Sequence, residues 1–210
     1  GRLSIDECQQ VASAIATIVP SFDLYSEEND DVISSLNVLL SILRRFPEVV
    51  DTDNILKALN SLIQVKTNDD EEEDDKLFGP LSIVTTYKLI VNLSLKATEI
   101  NLDVLSTIVE EMPITDDASS NSEIIIPLAE MISENNQQRF EPLYLPILTL
   151  FANLAIETDP HKKDLMINSD ADDKMKSALR EAVRKDSTIE RQLTRDFIRA
   201  KQNRFKAIVK

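Results

Sequence analysis

The stretch Leu81-Ser82-Ile83-Val84-Thr85-Thr86-Tyr87-Lys88-Leu89-Ile90-Val91-Asn92-Leu93-Ser94-Leu95 decides the fold class. Its apolar residues Leu81, Val84, Tyr87, Leu89, Ile90, Leu93 and Leu95 recur at intervals of three and four, the period of a helix rather than the alternation of a strand. Gly79-Pro80 stands just before it, and Asn101 follows as the cap of a second helix through Leu105, Ile108 and Val109.

Working outward, the same period governs both sides. Ser4 and Glu7 have the spacing of a capping box, ahead of Ile5, Cys8, Val11, Ile15 and Ile18, with Pro20 closing the segment. Asp30 or Asp31 caps a helix carrying Val32, Leu36, Leu39, Leu40 and Leu43 that ends at Pro47, and Thr52 or Asp53 caps Ile55 to Val65. On the other side, a polar break from Pro113 to Asn121 precedes a helix from Ser122 with Ile124, Ile125, Leu128 and Ile132 on one face. Pro142 and Pro146 fall near the start of the next helix, which carries Leu148, Phe151, Leu154 and Ile156, and Asp159-Pro160 signals one more helix start. The expectation is an all-α chain.

Composition narrows the chemistry. Two Gly among 210 residues leave no material for glycine-rich phosphate loops, one Cys rules out a disulfide framework, and one His removes most histidine chemistry. Cys8 reads as a buried, inert thiol and His161 as an exposed residue of a helix's first turn. The seven consecutive acids Asp69 to Asp75 and the cluster Asp170-Ala171-Asp172-Asp173 lack the order of a calcium loop, so no metal or other cofactor is expected. No apolar run of membrane-spanning length is present and no basic-then-apolar stretch opens the sequence, so the expectation is a reduced, intracellular protein of cytoplasm or nucleus without enzymatic activity.

Charge divides the chain. Residues 1–173 carry a net charge of −22 and residues 174–210 one of +8, within an overall −14. We therefore expect an acidic helical body over 1–173, with a flexible acidic loop at 67–77, and a basic amphipathic helical segment over 174–210. Ser187 and Glu190 suggest a capping box, and Ile189, Leu193, Phe197, Phe205 and Ile208 form an apolar stripe behind Arg191, Arg195, Arg199 and Arg204. Such a segment can cap an open helical stack or dock an acidic partner. Its aromatic residues lie on the apolar stripe rather than among the cations, so nucleic acid is not the expected ligand.

Leu89-Ile90-Val91-Asn92-Leu93-Ser94 and Leu148-Thr149-Leu150-Phe151-Ala152-Asn153-Leu154-Ala155 resemble the L-x-x-L-x-N-L-[AS] core of the third helix of armadillo repeats. Ile124-Ile125-Ile126-Pro127-Leu128-Ala129-Glu130-Met131-Ile132 is similar to the helix that precedes it in that superfamily, and HEAT repeats share the architecture. The resemblance spans Asp30 to Ser169, with Ser41 of the first unit where the others have Asn. Spacings of 51 and 61 residues between these positions exceed the period of roughly 40–47 for such repeats, and the excess falls at the acidic loop and the Pro113–Asn121 break.

The resemblance implies a right-handed α-solenoid of about three helical units plus the C-terminal basic segment. It further implies a scaffold or adaptor, a fragment of a larger protein, that binds a protein partner along its helices, with Asn92 and Asn153 clamping a peptide backbone. Lys88 and Thr149 stand where the karyopherin-type groove has Trp. The alternatives it brings are a non-enzymatic regulator of a small GTPase or Hsp70 and, less readily, a nuclear transport receptor.

Overall fold

The computed structural model describes residues 3–24, 30–67, 81–115, 117–157 and 164–210. The acidic run Asp69–Asp75, the Gly79-Pro80 pair, the Asp159-Pro160 start signal and His161 lie outside the described residues. Among those described, the chain is all-α: ten α-helices and three short 3-10 helices, with no strand. It divides into two compact units, Gly1–Val104 and Leu105–Lys210, the division falling inside α5 (Leu102–Glu111).

The first unit holds α1 (Ile5–Ile18), α2 (Asp30–Arg45), α3 (Thr52–Thr67) and α4 (Leu81–Ser94). At α1 the Ser4–Glu7 capping box is formed: Glu7 N–H donates to Ser4 Oγ at 3.2 Å and Ser4 N–H to the Glu7 carboxylate at 2.7 Å. Those hydrogen bonds hold the Glu7 carboxyl below the usual carboxylate range. Cys8, Ala12 and Ile15 form the buried stripe of α1, whereas Ile5 and Ile18, at the two ends of the periodic pattern, stay exposed. Helix α2 starts on Asp30-Asp31 and ends on Arg44-Arg45, acids and bases each placed at the end of the helix dipole that favours them.

The start of α3 differs from expectation. Asp51 caps it by accepting from Asn54 N–H at 3.4 Å, while Asp53 accepts from Thr98 N–H at 2.7 Å and Thr98 Oγ1 at 2.8 Å. Asp53 thus ties α3 to the turn after α4 instead of capping its own helix. Helix α4 packs against α2 and α3 and is buried on nearly every side, with only Leu81 and Asn92 of its fourteen residues outside the core. Three of its buried hydroxyls are satisfied inside: Thr85 Oγ1 donates to Leu81 O at 2.9 Å, Thr86 Oγ1 to Ser82 O at 2.8 Å, and Ser82 Oγ to Leu24 O, whereas the buried Ser94 Oγ has no partner among the described residues. A buried hydroxyl without such a bond would cost about 1–3 kcal/mol.

The second unit holds most of α5, then α6 (Asn121–Met131), α7 (Glu141–Ile156), α8 (Ser169–Lys185), α9 (Ser187–Thr194) and α10 (Arg199–Val209). Asn101 caps α5 as the sequence suggests, its Oδ1 accepting from Asp103 N–H and Val104 N–H. Pro142 occupies the first turn of α7, but Pro146 lies inside the helix rather than near its start. The core is made by α8 packing on α6 and α7, closed by α9 and α10 against α7 and α8. Ala171, Met175, Leu179 and Ala182 of α8, Ile189 and Leu193 of α9, and Phe205 of α10 are the buried apolar residues of the basic segment.

Residues 174–210 do not form one amphipathic helix. Asp186 interrupts them with an extended backbone and caps α9 through Thr188 N–H at 2.8 Å, in place of the Ser187–Glu190 box. A carboxylate one residue earlier meets the free N–H groups first, which leaves Glu190 to pair with Lys206 of α10. A second break follows at Arg195–Ile198, where α10 turns back beside α9 and Gln202 Nε2 donates to Thr194 O at 3.1 Å.

Candidate functional site

The two repeat-like helices present their asparagines differently. On α4, Asn92 is half-buried and its Nδ2 donates to Lys88 O at 2.7 Å, one turn back on the same helix. Lys88 is only 8% exposed, and no described carboxylate pairs with it. On α7, Asn153 is exposed and makes no hydrogen bond with the described residues. Thr149, one turn earlier, closes its hydroxyl onto Leu145 O at 2.9 Å.

Asn153 sits at the rim of a concavity lined by Pro113, Thr115, Leu154, Glu157 and Leu165, with the Asp164 carboxylate beside them. This surface joins the 113–115 turn to the end of α7 and the residues that follow it at 164–165, and a buried polar hub aligns the two turns. Asn121, the first residue of α6, accepts from Ile114 N–H at 2.8 Å and donates to Ile114 O at 2.8 Å and Leu165 O at 3.1 Å. Ser122 Oγ accepts from Asn168 N–H at 2.8 Å and donates to Met166 O at 3.3 Å. Met166 itself adopts φ 48, the left-handed region that a non-glycine residue enters only where its surroundings hold it. Asn121 pins the 113–115 turn and the 164–168 turn to the start of one helix. Sequence reading passes over it as the end of a polar break, because hydrogen bonds 44 residues apart leave no local signature.

The arginines of the basic segment fall on helices whose apolar faces are already buried. Arg191, Arg195, Arg199 and Arg204 are all exposed, and none has a carboxylate partner among the described residues. Their lysine neighbours are engaged: Lys185 bridges Glu134 and Glu181, each at 2.8 Å, Lys176 pairs with Asp172, and Lys201 meets Glu157 at 4.0 Å. The paired carboxylates hold the Lys185 ammonium charged above its ordinary pKa, and the same contact lowers that of Glu134. Arg180 has a structural task, its Nε donating to Ile208 O at 2.8 Å and fastening α10 to α8.

Beside the Lys185 bridge lies a small cleft of about 190 Å³ between α6, α7 and α8, lined in part by Glu130, Tyr144, Lys174 and Glu181. Burial pushes the Tyr144 hydroxyl above its usual pKa, so it stays a neutral donor there. Among the described residues no three His, Cys, Asp or Glu side chains converge as metal ligands, and no helix is long and apolar enough to cross a membrane.

The structure therefore places Asn153 and the arginines in the second unit, and Lys88 and Asn92 in the first, where the Asn92 amide is bonded to the Lys88 carbonyl. No protein-family model, no curated protein and no solved structure matches this chain.

Proposed function

We propose that this chain is a protein-interaction module of armadillo or HEAT type, a scaffold or adaptor whose partner docks on the α7 surface at Asn153. The observation that carries the reading is the unengaged Asn153 amide in a concavity lined by the apolar surfaces of Pro113, Leu154 and Leu165 and the carboxylates of Glu157 and Asp164. A side-chain amide offers one donor and one acceptor, which match one peptide unit of an extended partner. Glu157 and Asp164 favour N–H groups or cations on that partner. The solenoid reading is supported by the order of packing: α1 on α2, α3 on α4, then α2 on α4 in the first unit, and α6 on α8, α7 on α8 in the second. Helices that pack on the next helix or the one after it are the habit of stacked helical repeats.

The test is affinity capture from the native cell with the full chain and with Asn153→Arg, which fills the concavity and leaves the α7 core untouched. A discrete protein retained by the parent chain and lost from the variant is the expected result. A retained protein that ignores the variant would overturn Asn153 as the contact, and no retained protein at all would overturn the module reading.

A further inference from the structure

We infer that α9 and α10 form a second docking surface, specific for an acidic polypeptide segment, in which Arg191, Arg195 and Arg199 are the contact residues and Arg204 is not. The inference rests on reading the chain as an interaction module, but on different side chains from Asn153.

Helical geometry places these groups. On α9 the buried residues are Ile189, Leu193 and Thr194, and at about 100° per residue Arg191 and Arg195 fall on the opposite, outward side. Arg195 keeps helical backbone angles, so the two arginines stand one turn apart on the same face. Like charges at that spacing repel by a few tenths of a kcal/mol in an isolated helix, a standing cost that a bound carboxylate relieves. On α10 the inward residue is Phe205. One flank faces α9: Gln202 reaches Thr194 O, and Lys206 approaches Glu190 at 3.9 Å. Arg199 lies seven residues before Lys206, hence on that same flank. Arg204 lies on the other flank, with Lys201, which reaches Glu157 at the end of α7.

The corner between the helices is braced by an edge-to-face contact of Phe197 with Phe205, ring centroids 6.4 Å apart. Three guanidinium groups are thus carried by a fixed frame, with Asp196 and the already paired Glu190 as the only acids of these two helices and their connecting turn.

Charge and shape choose the occupant. A guanidinium fork matches a carboxylate with two parallel hydrogen bonds, and an acidic segment supplies several carboxylates in a row. A lipid surface would need the apolar stripe free, but Ile189, Leu193 and Phe205 are buried inside the unit and Ile198 alone is left exposed at the turn. A nucleic acid would need stacking surfaces among the cations, whereas Phe205 is buried and Phe197 packs against its ring. Residues 1–173, at −22, repel both phosphate polymers and acidic peptides at long range, so recognition is confined to within about one Debye length, ~8 Å at physiological salt, of the arginine row.

The experiment is fluorescence anisotropy of labelled deca-glutamate titrated with the full chain at low salt, beside Arg191→Gln/Arg195→Gln/Arg199→Gln, Arg204→Gln and Asn153→Arg. All the altered side chains are exposed, and far-UV circular dichroism verifies the fold. The expected result is binding that weakens at least about tenfold in the triple variant. Arg204→Gln and Asn153→Arg should stay within about twofold of the parent. Equal weakening by Arg204→Gln, or a triple variant that binds like the parent, would overturn the inference. So would tighter, arginine-dependent binding of phosphatidylserine vesicles or a single-stranded oligonucleotide. Loss of partner capture at Asn153 with intact arginine-dependent peptide binding would count for this surface, and a failure there to find any Asn153-dependent partner would count against the α7 reading alone.

Discussion

Asn92 on α4 and Asn153 on α7 occupy the same place in nearly the same local sequence, Val91-Asn92-Leu93-Ser94 against Ala152-Asn153-Leu154-Ala155, and they end in opposite conditions. Around Asn92 the helix is buried on almost every side, and the amide folds back to the Lys88 carbonyl. Around Asn153 the helix buries Leu150, Phe151, Ala152, Leu154 and Ala155 but leaves the amide in solvent, above a concavity built by turns from elsewhere in the chain. A short motif specifies where a side chain stands on its helix. Whether that side is covered is decided by the neighbours, and the neighbours are not in the motif.

The largest effects test whether the two helices are equally well anchored. Leu89 and Phe151 are fully buried, so Leu89→Ala should cost about 2–5 kcal/mol and Phe151→Ala about 3–5 kcal/mol in denaturant unfolding. Losses of comparable size mean that Asn153 is exposed on a rigid helix. A loss below about 1 kcal/mol at Phe151 would mean that α7 is loosely held, and the contrast with α4 would then be one of order rather than of covering.

A smaller effect addresses the amides themselves. Asn92→Ala removes one hydrogen bond and should destabilise by about 0.5–1.5 kcal/mol, whereas Asn153→Ala should stay within about 0.5 kcal/mol by the same measurement. Equal costs at the two positions would break the comparison.

The smallest effect sharpens the description of the second unit. Glu134 has its pKa lowered by Lys185, so its contribution is present above the unfolded-state carboxylate pKa of about 4.3 and is lost as pH falls through the lower folded value. Lys185 has its pKa raised, so its share is complete below about 10.4 and is lost only as pH rises past the folded value. A Glu134→Gln chain should therefore melt slightly below the parent at neutral pH, with the gap closing in acid. A gap that persists well below that carboxylate pKa would mean the Lys185 bridge contributes nothing through its charge.

Much of the helical framework was legible because its signals are local. The Ser4–Glu7 box, the Asn101 cap and the placement of Pro142 each follow from residues within one or two turns. Where the reading missed, a competitor stood one residue away: Asp51 capped α3 before Thr52 or Asp53 could, and Asp186 capped α9 before Ser187. The continuous apolar stripe from Ile189 to Ile208 concealed the corner at Arg195–Ile198, since both helices point their apolar residues into the same core.

The candidate sites divide in the same way. The arginine row could be listed from charge alone, but the separation of Arg204 from Arg191, Arg195 and Arg199 depends on how α10 folds back beside α9. The concavity at Asn153 was not legible, because Asn121 aligns its two turns through one carbonyl seven residues away and another 44 residues away.

The central claim, that partner contact is made through the exposed amide of α7 and not through its counterpart on α4, is tested most directly by photo-crosslinking. A photoreactive residue is placed in the full chain at position 153 in one sample and at position 92 in another, and each is irradiated in extract of the native cell. The account predicts a discrete crosslinked protein at 153 and none at 92. Crosslinking at 92, or at neither position, would contradict it.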